Sequence, residues 1–451
     1  MSKKKKKKPS PQRNQQRSQH SVRISQCMIV KNEEKNIERA LEWAKDIAFE
    51  QIVVDTGSTD RTVELAEKMG AKVYHFEWID DFSAAKNFAM DKAKGDWIAI
   101  LDADEYMSQK DAKELYTILK KIEADPVASR ECEAITCTFV NLDDNGNVIS
   151  VISHQRVFQN RPYLRFEGRI HEVIKLQKNH FQAPNLRIMH TGYTQATYSD
   201  TNKYGRNVMM LRNELESDPD NPDIMFYLAD SLKTAGTKEA IDESEELFHK
   251  ALRSERPANI FLKQLAYNYL IPKYSGDDTK KEEAMRLCND AVASLPDLID
   301  YYYYRAVLNN QKGNYKAAQD DLTVCENALL STVKVPTTQV LMPSPILLFH
   351  QLRISAEGLS DEEGIMRNTT IIRAMLIDGK GETGITGSYI RAMSWHGAAD
   401  DEILGELGCI YDLSDPKDIL FIARAAKEGG AVEFTRNLMT ITKEMFGEES
   451  S

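Results

Sequence analysis

The sequence predicts an α/β domain with a parallel sheet, followed by an all-α repeat region. Three observations support this. Short apolar segments alternate with amphipathic ones over residues 24–101, the helical period disappears up to about residue 191, and helical segments with recurring alanines follow. Strand–helix alternation with near-continuous apolar strands is typical of a parallel sheet covered on both faces. The predicted divisions are a disordered basic tail (1–22), an α/β domain (23–197), helical repeats (198–330) and a C-terminal helical region (331–451).

The first half of the α/β domain reads as four strands and three helices. A stripe of Ile37, Leu41, Ala44 and Ile47 predicts the first helix. Ser58 or Thr59 can cap the second helix, which Gly70 ends. The third helix is predicted at 81–93, and the strands are predicted at 24–30, 51–54, 72–76 and 97–101.

The second half of this domain lacks a helical period. Its apolar runs are bounded by Asp-Asp-Asn-Gly and Asn-Arg-Pro turns, which predicts an antiparallel appendage on the same domain. The strands are predicted at 136–142, 148–152, 155–158 and 186–190.

The helical region repeats itself. Ala229, Ala266 and Ala306 occupy like positions, spaced 37 and 40 residues apart. The last unit has Gly313 at its turn and then Tyr315, which fits the tetratricopeptide pattern. Small residues recur because paired antiparallel helices approach closely at those points.

Charge and composition exclude several function classes. The 451-residue chain carries a net charge of −11, although its first twenty residues hold eight positive charges and no acid. The acidic body argues against a nucleic-acid partner, and the Lys-rich tail either contacts an anionic lipid surface or RNA, or is simply solvated. The sequence contains no membrane-length apolar run and no signal-peptide pattern, and its six cysteines are scattered, so we expect a cytoplasmic protein with reduced thiols.

Polar loops follow three of the predicted strands. They begin at Lys31, Asp55 and Asp102, at the carboxyl ends where open parallel sheets bind ligands. Asp102 and Asp104 leave one strand at i and i+2, so both carboxylates can face one side and hold Mg²⁺ or Mn²⁺. No GxGxxG follows the first strand and no P-loop motif is present, which excludes the common dinucleotide and P-loop nucleotide sites.

Several ordered motifs resemble one family. They are MIVKNEE at 28–34, VDTGSTD at 54–60, WIDDFSAAKN at 78–87 and LDADE at 101–105. Together they are similar to the family 2 glycosyltransferases of the GT-A (Rossmann-like) fold. GRIHE at 168–172 and HTGY at 190–193, followed by tetratricopeptide-like helices, resemble the subgroup that contains the sublancin S-glycosyltransferase.

The resemblance implies roles for particular residues. Asp55 matches the acid that contacts the uridine of a UDP-sugar donor, and Asp102 and Asp104 match the metal-binding pair. His190 resembles a late histidine that completes the metal shell. Lys86 stands where the family usually has Arg. The implied donor-binding residues are Asn32, Glu34, Asp55, Ser58, Lys86 and Asp102.

The resemblance also implies an inverting, Mn²⁺- or Mg²⁺-dependent reaction. A hexose or N-acetylhexosamine would pass to a Ser, Thr or Cys side chain of a peptide or protein, with Glu172, or secondly His171, as general base. The alternatives are a polysaccharide or lipid-linked acceptor, with the Lys tail at the membrane, or a non-catalytic adaptor. The repeats would bind the acceptor or mediate a homodimer.

Simpler interpretations compete with these roles. Asp55 can cap a helix, His171 and Glu172 can form an ion pair at a strand end, and His190 can be an internal hydrogen-bonding residue. The large aromatic residues of this domain suit a core better than a sugar platform; they are Trp78, Phe82 and Trp97.

Overall fold

The computed structural model of the protein describes residues 21–143, 145–191, 201–331 and 340–446. It confirms the predicted fold class, an α/β domain followed by helices, in two compact units that divide after Pro219. The predicted boundary at 197/198 and nearly all of the predicted basic tail lie outside the described residues. None of the helices in the described ranges is long and apolar enough to span a bilayer.

The first unit is built on one mixed sheet. The strands of this unit are β1 (Ile24–Val30), β2 (Glu50–Asp55), β3 (Lys72–His75), β4 (Trp97–Ile100), β5 (Glu105–Tyr106), β6 (Cys132–Leu142), β7 (Val148–Gln159), β8 (Phe166–Glu167), β9 (Val173–Ile174) and β10 (Asn179–His190). The strand order in the sheet is β3-β2-β1-β4-β7-β6-β10-β5, and a separate ribbon pairs β8 with β9. Strands β1 to β4 run parallel, so their carboxyl ends meet at one edge.

The predicted antiparallel pairing is confirmed for β6 with β7, but these strands are not a separate appendage. Strands β6, β7 and β10 continue the main sheet, because β7 pairs antiparallel with both β4 and β6. The pairing of β10 with β6 is parallel. The runs predicted as two strands, 148–152 and 155–158, form the single strand β7, whose ladder with β6 accommodates a register shift near Thr136.

The helices of the first unit are α1 (Ile37–Glu42), α2 (Thr62–Lys68), α3 (Phe82–Lys92), α4 (Gln109–Ala124), α5 (Pro126–Glu131) and α6 (Thr201–Ser217). Helix α2 begins later than predicted. Neither Ser58 nor Thr59 caps it; the Thr62 amide instead donates to the Asp60 carboxylate at 3.0 Å. Gly70 follows the helix with a positive φ of 88°, as a C-terminal glycine does.

Apolar side chains cover both faces of this sheet. Ile52 and Ile98 are buried with α3 on one face, and Met28 and Val53 with α1 and α2 on the other. Trp97 is fully buried and its indole N–H donates to Glu123 at 2.8 Å, which confirms its assignment to the core.

The second unit is helical throughout its described part. Its helices are α7 (Pro222–Lys233), α8 (Lys238–Leu252), α9 (Ile260–Ser275), α10 (Lys281–Ser294), α11 (Ile299–Gln311), α12 (Tyr315–Leu330), α13 (Ile346–Gly358), α14 (Glu362–Asp378), α15 (Thr383–Trp395), α16 (Asp400–Leu407), α17 (Pro416–Gly429) and α18 (Val432–Phe446). The repeating alanines Ala229, Ala266 and Ala306 are fully buried, each in the first helix of a packed pair. This is the close approach that the repeat predicts.

Helices α15 and α17 cross at two glycines. A Cβ at Gly387 would overlap the carbonyl oxygen of Ala425, and one at Gly429 would overlap the backbone of Gly387. Gly384, one turn earlier on α15, has open space on the side where its Cβ would lie.

We expect Gly387→Ala to lower the free energy of unfolding by about 1–3 kcal/mol, since backbone atoms must move apart to admit a methyl group. Urea unfolding followed by far-UV circular dichroism measures this. Gly384→Ala on the same helix is the matched control, and we expect it to keep or slightly raise stability. Equal effects of the two substitutions would contradict the close crossing.

Candidate active site

Two loops at the carboxyl edge of the sheet are bonded to each other. Asn32, which has a positive φ of 57°, donates its amide N–H to the Ser58 hydroxyl at 2.9 Å and accepts from the Thr59 amide at 2.7 Å. The exposed Glu34 donates its amide to Asp60 at 3.1 Å and accepts from the Arg61 amide at 3.3 Å. These hydrogen bonds hold together the loops after β1 and β2, and Asn32, Ser58 and Glu34 all take part in them. We call these two loops the bonded loops.

Asp55 ends β2 and shapes its own loop. Its buried carboxylate accepts from the amides of Gly57 at 3.2 Å and Ser58 at 3.0 Å, and His75 Nδ1 lies 3.4 Å from Oδ2. The alternative that Asp55 caps helix α2 is wrong, because α2 starts seven residues further on and these contacts form a local turn instead. Asp55 therefore lies at the base of the bonded loops, where β2 ends.

Lys86 joins two of the predicted site residues. This buried ammonium on α3 lies 3.2 Å from Asp102 Oδ1 and 2.6 Å from Glu172 Oε1. Burial acts to lower the pKa of Lys86, but the two carboxylates outweigh it and raise that pKa. Asp102 is predicted to bind the metal and the donor, and Glu172 is predicted to be the general base. The Lys86 ammonium nevertheless forms an ion pair with both carboxylates.

The loop that carries Glu172 is anchored to the start of α3. The Phe82 amide donates to the Arg169 carbonyl at 2.8 Å, and the Ser83 hydroxyl donates to the Gly168 carbonyl. Glu172 faces inward with 14% of its side chain exposed, whereas His171 is exposed at a positive φ of 54°. The structure thus brings Glu172 to Asp102 and leaves the His171 side chain on the surface.

Two further residues belong to this cluster, and neither was predicted as a site residue from the sequence. Arg156 on β7 donates two hydrogen bonds to Glu105 on β5, at 2.7 and 2.9 Å, and its guanidinium lies 3.7 Å from Asp102 Oδ2. Glu105 also accepts from the Asp102 amide at 3.1 Å. Burial acts to raise the pKa of Asp102, but Lys86 and Arg156 lower it to about 2. Arg156 is the only Lys or Arg in β7, a signal that could have found it.

Asp104 and His190 form a second pair at the same edge. His190 Nε2 lies 3.4 Å from Asp104 Oδ2, and Nδ1 lies 2.8 Å from the Asn141 side-chain oxygen. The Asn141 amide then donates to Ser150 on β7 at 2.7 Å. Burial acts to lower the pKa of His190, and the bond to Asp104 outweighs it and raises that pKa. His190 is therefore hydrogen-bonded on both ring nitrogens.

The side chains of Asp102, Asp104 and His190 are suitable ligands for a hard divalent cation, but they are not arranged around a single metal position. Two carboxylates and one imidazole are ligands of the kind that Mn²⁺ accepts. Asp102, however, faces Lys86 and Arg156, and the described residues contain no group of three or more ligating side chains arranged to hold a metal ion. Asp104 faces His190, and around Asp102 the three carboxylates Asp102, Glu105 and Glu172 outnumber the two cations Lys86 and Arg156, an excess that a divalent ion would balance.

Part of the chain is similar to a known protein family. Residues 25–193 match the family model described as glycosyl transferase family 2. This segment holds all the site residues described above.

Two curated relatives are similar over a longer stretch. A tetratricopeptide-repeat-containing protein of Synechococcus elongatus is 32% identical over 267 residues, which is 57% of this chain and 63% of that protein. The SPbeta prophage-derived glycosyltransferase SunS of Bacillus subtilis is 29% identical over 226 residues, 48% of this chain and 50% of that protein. The chain thus matches between half and two thirds of the length of these relatives. Among solved structures, S. aureus TarS in complex with UDP-GlcNAc is 13% identical, with a TM-score of 0.36 over 65% of this chain and 92% of that chain.

We expect the Arg156–Glu105 pair to be strongly coupled in stability. Glu105→Ala leaves a buried guanidinium without its bidentate partner and should cost about 3 kcal/mol, because an uncompensated buried charge is unfavourable. In a double-mutant cycle, Glu105→Ala with Arg156→Met should cost clearly less than the sum of the single changes. Urea unfolding of the four chains gives the coupling energy.

The matched control is the exposed pair Arg61–Glu64, which also forms a two-point contact. Its coupling should be close to zero, since water screens exposed charges. Additive effects at Arg156 and Glu105 would contradict their role as a buried unit.

Proposed function

We propose that this chain, whose residues 25–193 form a family 2 glycosyltransferase domain, transfers a hexose or N-acetylhexosamine from a UDP-sugar to a peptide or protein side chain. The observation that carries the proposal is the convergence of Asp102, Lys86 and Glu172 at the carboxyl edge of the parallel sheet. That edge is where open α/β sheets bind nucleotides. The match of the same segment to the family model supports the reaction class.

Donor binding is assigned to the bonded loops. The Asp55 carboxylate would accept a hydrogen bond from the uracil ring, next to Asn32, Ser58 and Glu34 of the bonded loops. Lys86 supplies a point charge for the diphosphate, because a lysine ammonium offers one charge without the planar fork of arginine. Since Lys86 already neutralises two carboxylates, a diphosphate would compete with them for this cation.

Metal dependence is part of the proposal. Asp102, Asp104 and His190 would hold Mn²⁺ or Mg²⁺, and the excess of carboxylates around Asp102 favours a divalent cation there. When bound, such an ion stabilises the negative charge that develops on the departing nucleoside diphosphate. Arg156 keeps the strand-end loop in place through Glu105, so that Asp102 and Asp104 stay at this edge.

The proposed reaction is a single displacement with inversion. The acceptor oxygen or sulfur forms a bond to the anomeric carbon as the bond to the diphosphate oxygen breaks. Glu172 takes the acceptor proton, and a hydroxyl acceptor needs this base more than a thiol does, because a thiol ionises near pH 8.5. His171, the second candidate, lies at the surface in this structure.

A peptide or protein acceptor is favoured by the tetratricopeptide-like helices, which in other proteins bind extended chains. The resemblance to the sublancin S-glycosyltransferase subgroup points the same way. If these helices do not bind an acceptor, they would instead mediate a homodimer. Asp102 and Asp104, both retained, weigh against a non-catalytic adaptor.

We expect Asp102→Asn to reduce UDP release from UDP-sugars at least about a hundredfold, since charge stabilisation of the leaving group would be lost. Release is measured over a panel of UDP-sugars with Mn²⁺ or Mg²⁺. EDTA should abolish the wild-type signal and added Mn²⁺ should restore it. Asp46→Asn, an exposed carboxylate beyond helix α1, is the control and should match wild type. Full turnover by Asp102→Asn, or in EDTA, would refute the metal assignment.

We expect Glu172→Gln to lower kcat for a hydroxyl acceptor about 10²- to 10⁴-fold without raising the KM for the donor, because the diphosphate loses a competitor for Lys86. A thiol acceptor should be affected far less. Steady-state kinetics of both acceptors test this, with His171→Gln measured in parallel and the exposed Glu167→Gln as the control. If kcat fell only in His171→Gln, the base would be His171.

A further inference from the structure

Strand β7 is much longer than the strand beside it. β4 pairs with β7 only through residues 157–159, and β4 ends at Ile100. From Val148 to Gln155, β7 pairs with β6 on one side. On its other side, this stretch pairs with no strand among the described residues. We call residues 148–153 the open edge.

The open edge has the composition of a strand that readily pairs with another. Its sequence is VISVIS, with no charge and no proline. Val148, Ile149, Val151 and Ile152 are exposed at 60%, 53%, 58% and 47%. Proteins normally protect exposed edge strands with lysine, proline or very short length, because unpaired backbone groups recruit further strands. None of these protections is present at the open edge.

The open edge leads directly to the candidate active site. In the β4–β7 register Val157 lies opposite Ala99, and the next residue, Arg156, has its guanidinium 3.7 Å from Asp102 Oδ2. At about 3.3 Å per residue, Val151 lies roughly 17 Å further along the strand, beyond the end of β4. Ser150 is linked through Asn141 to His190, so the edge and the site share one hydrogen-bonded row.

We propose that an extended segment of the acceptor adds to the open edge as a further β-strand and so presents its Ser, Thr or Cys to Asp102 and Glu172. This inference rests on the proposed peptide acceptor. Main-chain hydrogen bonds would supply much of the affinity, and apolar acceptor side chains would contact Val151 on one face of the sheet and Ile152 on the other. The excess of carboxylates at the inner end selects acceptor residues that are neutral or basic near the modified side chain.

Continuity with the site favours the acceptor over a second copy of this chain. Two copies paired edge to edge would cover the strand that leads to Asp102 and hinder access to it. An acceptor strand uses the same backbone groups and enters the site.

The test measures peptide binding to the full chain without any donor. The probe is a pool of synthetic dodecapeptides with a central Ser, in which the flanking positions are drawn equally from Val, Thr, Lys and Glu. Mass spectrometry of the retained peptides should show enrichment of Val and Thr and depletion of Glu. Val151→Lys and Ile152→Lys should each weaken binding of the best peptide at least tenfold. Val127→Lys, an equally exposed apolar residue on α5, should bind like wild type.

A backbone probe separates strand addition from simple hydrophobic adhesion. The best peptide, resynthesised with alternate N-methylated amides, should lose at least tenfold in affinity, since it can no longer donate to the edge. Equal binding of the methylated peptide, or no enrichment at all, would overturn the proposal. So would sedimentation data showing a wild-type dimer that Val151→Lys abolishes, without peptide enrichment. The enrichment is measured without donor, so peptide enrichment by a wild-type chain that turns over no UDP-sugar would count against the proposed reaction alone.

Discussion

The buried ion pair between Arg156 and Glu105 is the interaction on which the site depends. Glu105 accepts from Arg156 twice and from the Asp102 amide once, so a single carboxylate fixes the loop that carries both Asp102 and Asp104. Burying two charges is costly, and only bidentate geometry and extra hydrogen bonds offset that cost. The pair joins β7 to β5, two strands that are not neighbours in the sheet. Local helix and strand propensity could not place the two aspartates without it.

The charged side chains around Asp102 suit an ionic ligand. Lys86 and Arg156 hold Asp102 in its charged form, and Lys86 also holds Glu172. In the proposed reaction, a donor diphosphate that attracts Lys86 would free the Glu172 carboxylate from its ion pair. The proposed donor and base residues are thus joined through one side chain, Lys86.

Much of the first sheet could be predicted from sequence because its signals are local. The strands β1 to β4 fall within about one residue of the apolar runs that predict them. The rest is fixed by contacts distant in sequence. The parallel pairing of β10 with β6 joins residues about 50 positions apart, and no periodicity encodes it. The late start of α2 follows from Asn32 binding the loop at Ser58 and Thr59, which removes both from capping.

For the site, motif residues were predictable and their partners were not. Asp102, Asp104 and His190 lie in motifs of the family, whereas Arg156 lies near the carboxyl end of β7, 51 residues from Glu105. A charged residue in such a strand must be paired if it is buried, and the sequence does not say with what. The mismatch between the short β4 and the long β7 adds a second feature that no motif encodes. Where β4 ends, β7 continues, and on that side it pairs with no further strand among the described residues. With strands of equal length this edge would be paired, so the difference in strand length places an unpaired strand edge next to Asp102.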